Sequence, residues 1–289
     1  MTALAPAEQA AALARRQRRG TLGILVRVVV AVLLAYFVGW AAAHSREWTP
    51  LAIVAAVFAM VGLSLNILIG YTGQLSLGHQ GFLGAGACAA AFVQTKMHAP
   101  FAVAVLSAVA VGALFALVLG FVALRIRGLY LALITLVFGL TLSSSLFLVP
   151  ALTGGGAGQK ADRPAFLQEN TNFYWFCLAL VLVVLYLDSR LLASKAGRAL
   201  LAIKENERVA EAFGIGVTAY KLLAFGLSGA IAGLAGGLFA FRSQTYAAQD
   251  FTETGLSLAL LFVVMVVVGG LGNRVGVVIA GSFFALLNY

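Results

Sequence analysis

The sequence predicts an all-α polytopic membrane protein with about 8–9 transmembrane helices, some of them short or broken. Hydrophobic residues make up 62% of the 289 residues and charged residues only 10%, whereas roughly a quarter of a soluble domain is charged. The mean hydropathy is +1.01. The apolar residues form long continuous runs, without the alternation that marks an outer-membrane barrel. The chain is therefore expected to cross the membrane repeatedly as helices.

The apolar runs divide the chain into candidate spans joined by polar connections. A helix needs about 20 residues to cross the hydrocarbon core, so the third, eighth and ninth runs are short. In transporters, short segments interrupted by glycine commonly mark broken helices beside the substrate path. The runs lie near residues 22–42, 50–69, 78–94, 100–124, 128–149, 172–188, 221–241, 255–270 and 275–288.

Lysine and arginine are distributed unevenly over the connections. With the N-terminus in the cytoplasm, 14 of these 19 residues fall inside and five outside. This agrees with the positive-inside rule, and it explains the net charge of +9 by topology rather than by a nucleic-acid partner. The expected organisation is a basic cytoplasmic arm (1–20) and a single transmembrane domain (21–289), with an extracytoplasmic loop at 150–171 and a cytoplasmic loop at 189–220.

No catalytic residue, metal site or cofactor is expected. Cys88 and Cys177 lie inside apolar runs without metal-ligand spacing, so they are predicted to be packed in the core. The sequence contains neither the phosphate-binding pattern G-x-x-x-x-G-K-[ST] nor the metal-binding pattern H-E-x-x-H. An energy source for transport would therefore lie on another polypeptide.

A polar, glycine-rich segment between the second and third runs is the most informative part of the chain. It extends from Gly70 to Gly86, reads GYTGQLSLGHQGFLGAG and contains six glycines. Lipid cannot satisfy irregular backbone or bare polar side chains, so such a segment persists only when it is buried in protein or beside water. It is predicted to be a helix break beside a translocation path. The candidate path residues are Asn66, Thr72, Gln74, Ser76, His79 and Gln80.

These polar side chains also have a purely structural interpretation. They would then hydrogen-bond the backbone that the glycines free, and only stabilise the break. For Asn66 this interpretation is the favoured one. A lone histidine, His79, without a carboxylate in the membrane is weak evidence for a proton relay.

Two further segments have structural predictions of their own. Arg198 to Phe213 is rich in helix formers and predicts a short amphipathic helix, with Ile203, Ala210 and Phe213 on one face. Gly214 is a plausible helix stop. By itself, such a helix is more often a solvated or lipid-surface helix than a docking element. The small residues of Gly84-Ala85-Gly86 and of 230–237 predict close helix packing.

Five motifs, taken together, resemble a known family. They read GYTGQLSLGHQGFLGAGA, RIRGLYLALITLVFG, TGGGAGQ, GRALLAIKENERVAEAFGIGVTAYKLLAFGLSGAIAGLAGGLFA and MVVVGGLGNRVGVVIAG, in this order. Over roughly residues 48–285 the chain resembles permease subunits of branched-chain amino acid ABC importers, in the branch of the second permease. The permeases of urea and amide importers are close relatives. Each motif alone is weak, but five in order with sensible spacing are a strong signal.

The resemblance implies a function, partners and a location. The chain would be a non-enzymatic subunit that moves branched-chain (hydrophobic) amino acids across a bacterial inner membrane by alternating access. It would form a heterodimer with a second permease and work with two cytoplasmic ATPase subunits and an extracytoplasmic solute-binding protein. The resemblance also implies that the cytoplasmic helix docks on the ATPase. The candidate coupling residues are Lys204, Glu205, Glu207, Arg208, Glu211 and Gly214.

Alternatives from other classes stay open at this point. One is transport of urea or short amides by the same kind of subunit. Another is a stand-alone channel or secondary transporter, which would usually place an ionisable residue in mid-span, where only Arg27 occurs near the inner end of the first run. An intramembrane enzyme using Ser76 and His79 would lack an orienting acid.

The chain departs from the family pattern in two places. Members usually carry a proline in the last motif, where this chain has Val277. They also usually continue through another apolar segment and a short basic tail, whereas this sequence stops at Tyr289. The chain is therefore expected to be either a truncated product or a shorter variant.

Overall fold

The computed structural model describes residues 48–123, 126, 128–145, 149–153, 159–246 and 255–287. The predicted basic arm (1–20), the first predicted span (22–42) with Arg27, and most of the TGGGAGQ motif lie outside these ranges.

The described residues form a bundle of helices, which confirms the predicted all-α class. A search of these residues finds four segments that are long and apolar enough to cross a membrane: Trp48–Tyr71, Phe101–Val122, Asn170–Ala193 and Val217–Ser243. Three shorter apolar helices accompany them, so the chain is a polytopic membrane protein. The helices are α1 (Trp48–Asn66), α2 (His79–Met97), α3 (Phe101–Ala123), α4 (Leu129–Ser144), α5 (Pro150–Thr153), α6 (Asn170–Ala193), α7 (Lys195–Glu205), α8 (Glu207–Ala212), α9 (Val217–Ser243), α10 (Gly255–Gly269) and α11 (Arg274–Leu287).

Helix α1 is the central helix of the bundle. Its sequence is apolar on all sides, and nearly all of its residues are buried by the surrounding helices. After Asn66 it widens into a π-helical turn, Ile67–Tyr71, and the chain then runs without regular structure until α2 begins at His79. This confirms the predicted helix break.

Helix α9 packs closely against α2 and α3 through glycines. A Cβ atom on Gly86 of α2 would collide with the backbone of Gly233 in α9. A Cβ atom on Gly236 would collide with the Leu83 carbonyl of α2, and Gly112 of α3 meets Gly233 in the same way. The predicted close packing of the two small-residue segments is therefore confirmed, because these backbones approach to distances that no larger residue permits.

A short strap connects the ends of α2 and α9 at one end of the bundle. The strands β1 (Gln159–Lys160) and β2 (Thr245–Tyr246) pair antiparallel. Beside them Arg163 donates from Nε to the Phe241 carbonyl at 2.7 Å and from Nη2 to the Arg242 carbonyl at 2.7 Å. Both carbonyls belong to the last turn of α9, where no N–H group of the same helix is available to bond them.

The segment predicted as one amphipathic helix forms two helices, α7 and α8, at the other end of the bundle. The break lies at Asn206, whose backbone is extended (φ −159°, ψ 108°). Its side-chain oxygen accepts hydrogen bonds from the N–H groups of Arg208 and Val209. The prediction of one continuous helix is wrong because asparagine competes with the helix backbone and starts a new helix as its N-cap.

The same break changes the predicted apolar face. Ile203 and Ala210 are buried with Val217 in a small cluster, as predicted for the first two. Phe213 is 83% exposed, so its assignment to this face is wrong. A helix that restarts at residue 206 does not keep the register that the spacing assumed. Gly214 does end the helix, with φ +79°, a conformation that favours glycine.

The glycine packing of α9 gives a prediction about stability. In Gly236→Ala the new methyl group meets backbone atoms of Leu83, so we expect a loss of about 1–3 kcal/mol and a lower melting temperature in detergent. The matched control is Gly226→Ala in the same helix. There the methyl group meets only the flexible Leu117 side chain at 3.1 Å, and the helix propensity of alanine favours folding. Equal melting temperatures for the two variants would contradict the close packing.

Candidate functional site

The break between α1 and α2 is stabilised by its own polar groups. Thr72 Oγ1 donates to the Leu68 carbonyl at 2.6 Å, and the Gln74 N–H donates to the same carbonyl at 3.0 Å. The Leu77 N–H donates to Thr135 Oγ1 of α4 at 2.9 Å. The irregular backbone thus finds partners inside the protein, as membrane depth requires.

His79 links three elements in the buried core. Its Nδ1 lies 3.1 Å from Ser76 Oγ and its Nε2 lies 2.8 Å from Ser228 Oγ of α9. Ser228 Oγ also donates to the Ser64 carbonyl of α1 at 2.8 Å. All four side chains are buried. Ser76 and His79 are in contact, but no carboxylate of the described residues orients the histidine.

A buried carboxylate that the sequence reasoning missed lies beside the π-helical turn. Asp188 of α6 is 3% exposed. It accepts a hydrogen bond from the Tyr71 hydroxyl at 2.8 Å and pairs with Arg274 Nε at 3.1 Å. The Tyr71 hydroxyl accepts in turn from Asn66 Nδ2 at 3.2 Å. We call these four residues the anchor cluster, because they join α1, α6 and α11.

Asn66 also connects the break to the last motif of the sequence. Its Oδ1 accepts from the Gly272 N–H at 2.8 Å. Gly272 lies in the turn between α10 and α11 and has φ +84°. Both Nδ2 and Oδ1 of the Asn66 side-chain amide therefore have protein partners. The motifs around residues 70 and 272, far apart in the chain, meet at this side chain.

The amphipathic pair α7–α8 contacts the break directly. Lys204 Nζ donates to the Gly70 carbonyl of the π-helical turn at 2.9 Å. The Lys204 stem passes Gly73, where a Cβ atom would lie 3.4 Å from Lys204 Cγ. Two segments that the sequence singled out separately, the break and the amphipathic segment, thus form one contact.

The other candidate coupling residues divide into two groups. Glu207 pairs with Lys221 of α9 at 2.7 Å, and the Lys221 side chain is only 4% exposed. Lys221 is the first residue of the predicted span (221–241), whereas α9 begins four residues earlier, at Val217. The other four are exposed: Glu205, Arg208, Glu211 and Gly214. Within the described part of the chain, the side chains of the first three make no bond, and a Cβ atom on Gly214 would meet nothing within 4 Å.

Gln80 differs from the other candidate path residues. Its side chain is fully buried, yet neither amide atom has a hydrogen-bond partner among the described residues. Asn66, Thr72, Ser76 and His79 bond to protein groups, and Gln74 Oε1 lies 3.3 Å from Thr72 Oγ1. Gln80 faces α4, where a Cβ atom on Gly139 would lie 2.5 Å from Gln80 Nε2.

The six candidate path residues lie in or beside one helix break, and the structure adds partners that sequence reasoning did not find. Some signal for them existed in the chain. Asp188 and Lys221 are the terminal residues of the predicted runs 172–188 and 221–241, where a charged side chain is expected to face water. Thr135 and Ser228 are common small polar residues in apolar helices, and nothing in the sequence marks them as partners of the break.

The anchor cluster gives a prediction for a double-mutant cycle. Arg274→Leu leaves the buried Asp188 carboxylate with the Tyr71 hydroxyl but without its cation, and should cost about 3 kcal/mol. Asp188→Leu should cost less, because the Arg274 side chain is 27% exposed and keeps some solvent. The double variant should lose less than the sum of the two single variants, as measured by unfolding of the purified protein in detergent. Additive losses would show that the pair does not stabilise the fold.

Comparison with known proteins identifies a family and several relatives. Residues 48–289 match the family described as branched-chain amino acid transport system / permease component. The chain is 31% identical to the high-affinity branched-chain amino acid transport system permease protein LivM of Salmonella typhimurium (strain LT2), over 88% of this chain and 66% of that protein. The LivM protein of Escherichia coli (strain K12) gives the same figures.

A relative of another kind matches a smaller part. The probable branched-chain amino acid transport permease protein LivH of Methanocaldococcus jannaschii is 36% identical over 38% of this chain and 33% of that protein. No solved structure matches the chain. The chain spans just under two thirds of the length of the LivM relatives. Because the family match covers most of the chain, including the break, the amphipathic pair and the last motif, the chain belongs to the family of branched-chain amino acid transport permease components.

Proposed function

We propose that this chain is a transmembrane permease subunit of an ATP-driven importer, which moves branched-chain amino acids across the membrane by alternating access. The family match and the names of the LivM relatives support the substrate class. The single observation that carries the mechanism is the hydrogen bond from Lys204 Nζ to the Gly70 carbonyl. It connects an exposed helix pair to the interrupted helix at the centre of the bundle.

The coupling step follows from what the helix pair exposes and what it contacts. Glu205, Arg208 and Glu211 present mixed charges that suit a charged protein surface, and we assign that surface to an ATPase subunit. Movement of the pair passes through Lys204 to the π-helical turn. At this point the helical ladder is already interrupted, so a rotation of α1 against α2 breaks few backbone hydrogen bonds.

The partners and orientation follow the same proposal. The full importer would contain a second permease, two ATPase subunits and an extracytoplasmic solute-binding protein. The helix pair would face the cytoplasm of a bacterial inner membrane, with the N-terminal arm on the same side and the strap outside. Basic residues support this orientation, because Arg190, Lys195, Arg198, Lys204 and Arg208 all lie at the helix-pair end.

The substrate path follows the break. We place it along Asn66, Thr72, Gln74, Ser76, His79 and Gln80, which line the only interruption between α1 and α2. An aliphatic zwitterion needs few polar contacts in an apolar lining. In the conformation described here most of these side chains bond to one another or to backbone. A path through them therefore requires that some of these bonds exchange for substrate during the cycle.

The transport function has a direct test. Proteoliposomes containing this chain, the second permease and the ATPases encoded beside it should take up labelled leucine when ATP and the solute-binding protein are present. Removal of ATP should abolish the uptake. Leucine uptake by this chain alone, without any ATPase, would contradict the proposal and favour a channel or a secondary transporter.

The coupling surface has a separate test. Glu211→Lys reverses an exposed charge that bonds to no other described residue, so stability should stay unchanged while uptake and coupled ATP hydrolysis fall roughly tenfold or more. Glu207→Lys should instead destabilise the protein, because it places two cations where Glu207 and Lys221 now pair at 2.7 Å. The matched control is Glu169→Lys, an exposed glutamate at the strap end. Wild-type uptake by Glu211→Lys would remove the docking assignment.

A further inference from the structure

An unpaired amide is buried at the start of α2. Gln80 is fully inaccessible to solvent, and neither its Nε2 nor its Oε1 has a partner in the described part of the chain. A buried amide without partners is costly, and native proteins rarely keep one without a functional reason. Such a group is matched by a ligand that both accepts and donates hydrogen bonds.

The amide lies in the first turn of α2, directly after the helix break. The N-cap of α2 is Gly78, and no side chain caps the first turn. The N–H groups of that turn therefore add a positive potential at the same place. Gly139 of α4 lies close to both the amide and the N-cap. A Cβ atom on Gly139 would lie 2.5 Å from Gln80 Nε2 and 3.3 Å from the Gly78 Cα.

Glycines form the contact that covers the Gln80 amide. Helix α4 covers the start of α2 with Gly139, and a Cβ atom on Gly81 would lie only 3.0 Å from the Gly139 Cα. The contact between α2 and α4 is thus backbone against backbone at this level, with Leu142 as an apolar neighbour at 3.2 Å from the same Gly81 position. A small separation of α4 from α2 would open a slot that ends directly on the amide and the helix N-terminus.

We propose that Gln80 and the N-terminal turn of α2 bind the charged head group of an α-amino acid when α4 moves away from α2. The substrate carboxylate accepts from Gln80 Nε2 and from the N–H groups of His79 and Gln80 in the first turn, where the helix dipole favours negative charge. The substrate ammonium donates to Gln80 Oε1. The aliphatic side chain lies toward Leu142. This site rests on the proposed function and specifies which part of the path holds the substrate.

The chemistry distinguishes a zwitterion from a neutral amide. Urea pairs with the Gln80 amide equally well, but it gains nothing from the positive end of α2. An amine without a carboxylate is repelled there. The site therefore favours a ligand that carries a carboxylate and an ammonium group on one carbon.

The first test variant is Gln80→Leu, which keeps the buried volume and removes the amide. In the complete reconstituted importer, we expect the kcat/KM of labelled leucine uptake to fall roughly tenfold or more, while the solute-binding protein still stimulates ATP hydrolysis. The melting temperature should stay equal or rise, because an unpaired buried polar group is removed. Gln94→Leu is the matched control in the same helix, where the amide donates to the Asp162 carbonyl at the strap. It should keep wild-type uptake.

The second variant blocks the slot and leaves Gln80 in place. In Gly139→Ala a methyl group occupies the position 2.5 Å from Gln80 Nε2, so uptake should fall although the amide is intact. Wild-type leucine uptake by both variants would overturn the site and leave the proposed function standing. A fall in the melting temperature of Gln80→Leu would also overturn it, since the amide would then be a structural group.

Lack of leucine uptake by the wild-type importer would overturn the proposed function and the site together. Gln80-dependent uptake of urea would overturn the assignment of the ligand as a zwitterion.

Discussion

The structure depends on the requirement that every backbone polar group inside a bilayer has a partner within the protein. The chain interrupts its central helix between Tyr71 and His79, and so frees groups that an unbroken helix would pair. Side chains of the break itself and Thr135 of α4 take up several of them. The buried position of α1 follows from the same requirement, because lipid beside the break would leave its backbone groups without hydrogen-bond partners.

Two kinds of interaction enclose the break, and they act differently. Around α9 the contacts are between backbones at glycines such as Gly233 and Gly236, so helix positions there are set by shape. Around Tyr71 they are directional. The cost of burying the Asp188 carboxylate is offset by a hydroxyl and by the guanidinium of Arg274, which together fix the angle at which α6 and α11 meet the break. The glycine contacts thus set how closely the helices approach, and the polar bonds set how they are oriented around the break.

Much of this organisation follows from the sequence, and the misses have specific causes. Hydrophobic runs predict the helices, and glycine with polar residues predicts the break, because both patterns are local. Asn206 splits the amphipathic segment by a side-chain bond that composition does not reveal. The partners of the break lie more than 50 residues away, as with His79 and Ser228, and pairing at that separation leaves no periodic signal. The burial of Asp188 could not be predicted, because it is the last residue of the apolar run 172–188 and a charge there is expected to face water.

The bond from Lys204 has a consequence for substitutions at its two ends. Its acceptor is the carbonyl of Gly70, a group that every amino acid carries at that position. A side chain at residue 70 would leave this carbonyl in place, but its Cβ atom would collide with Asn66 Oδ1 and with the Gly272 nitrogen. Residue 70 is therefore constrained by the space around it, and residue 204 by its ammonium group. Because the acceptor is a main-chain group, no side chain introduced at residue 70 can replace a lysine lost at residue 204.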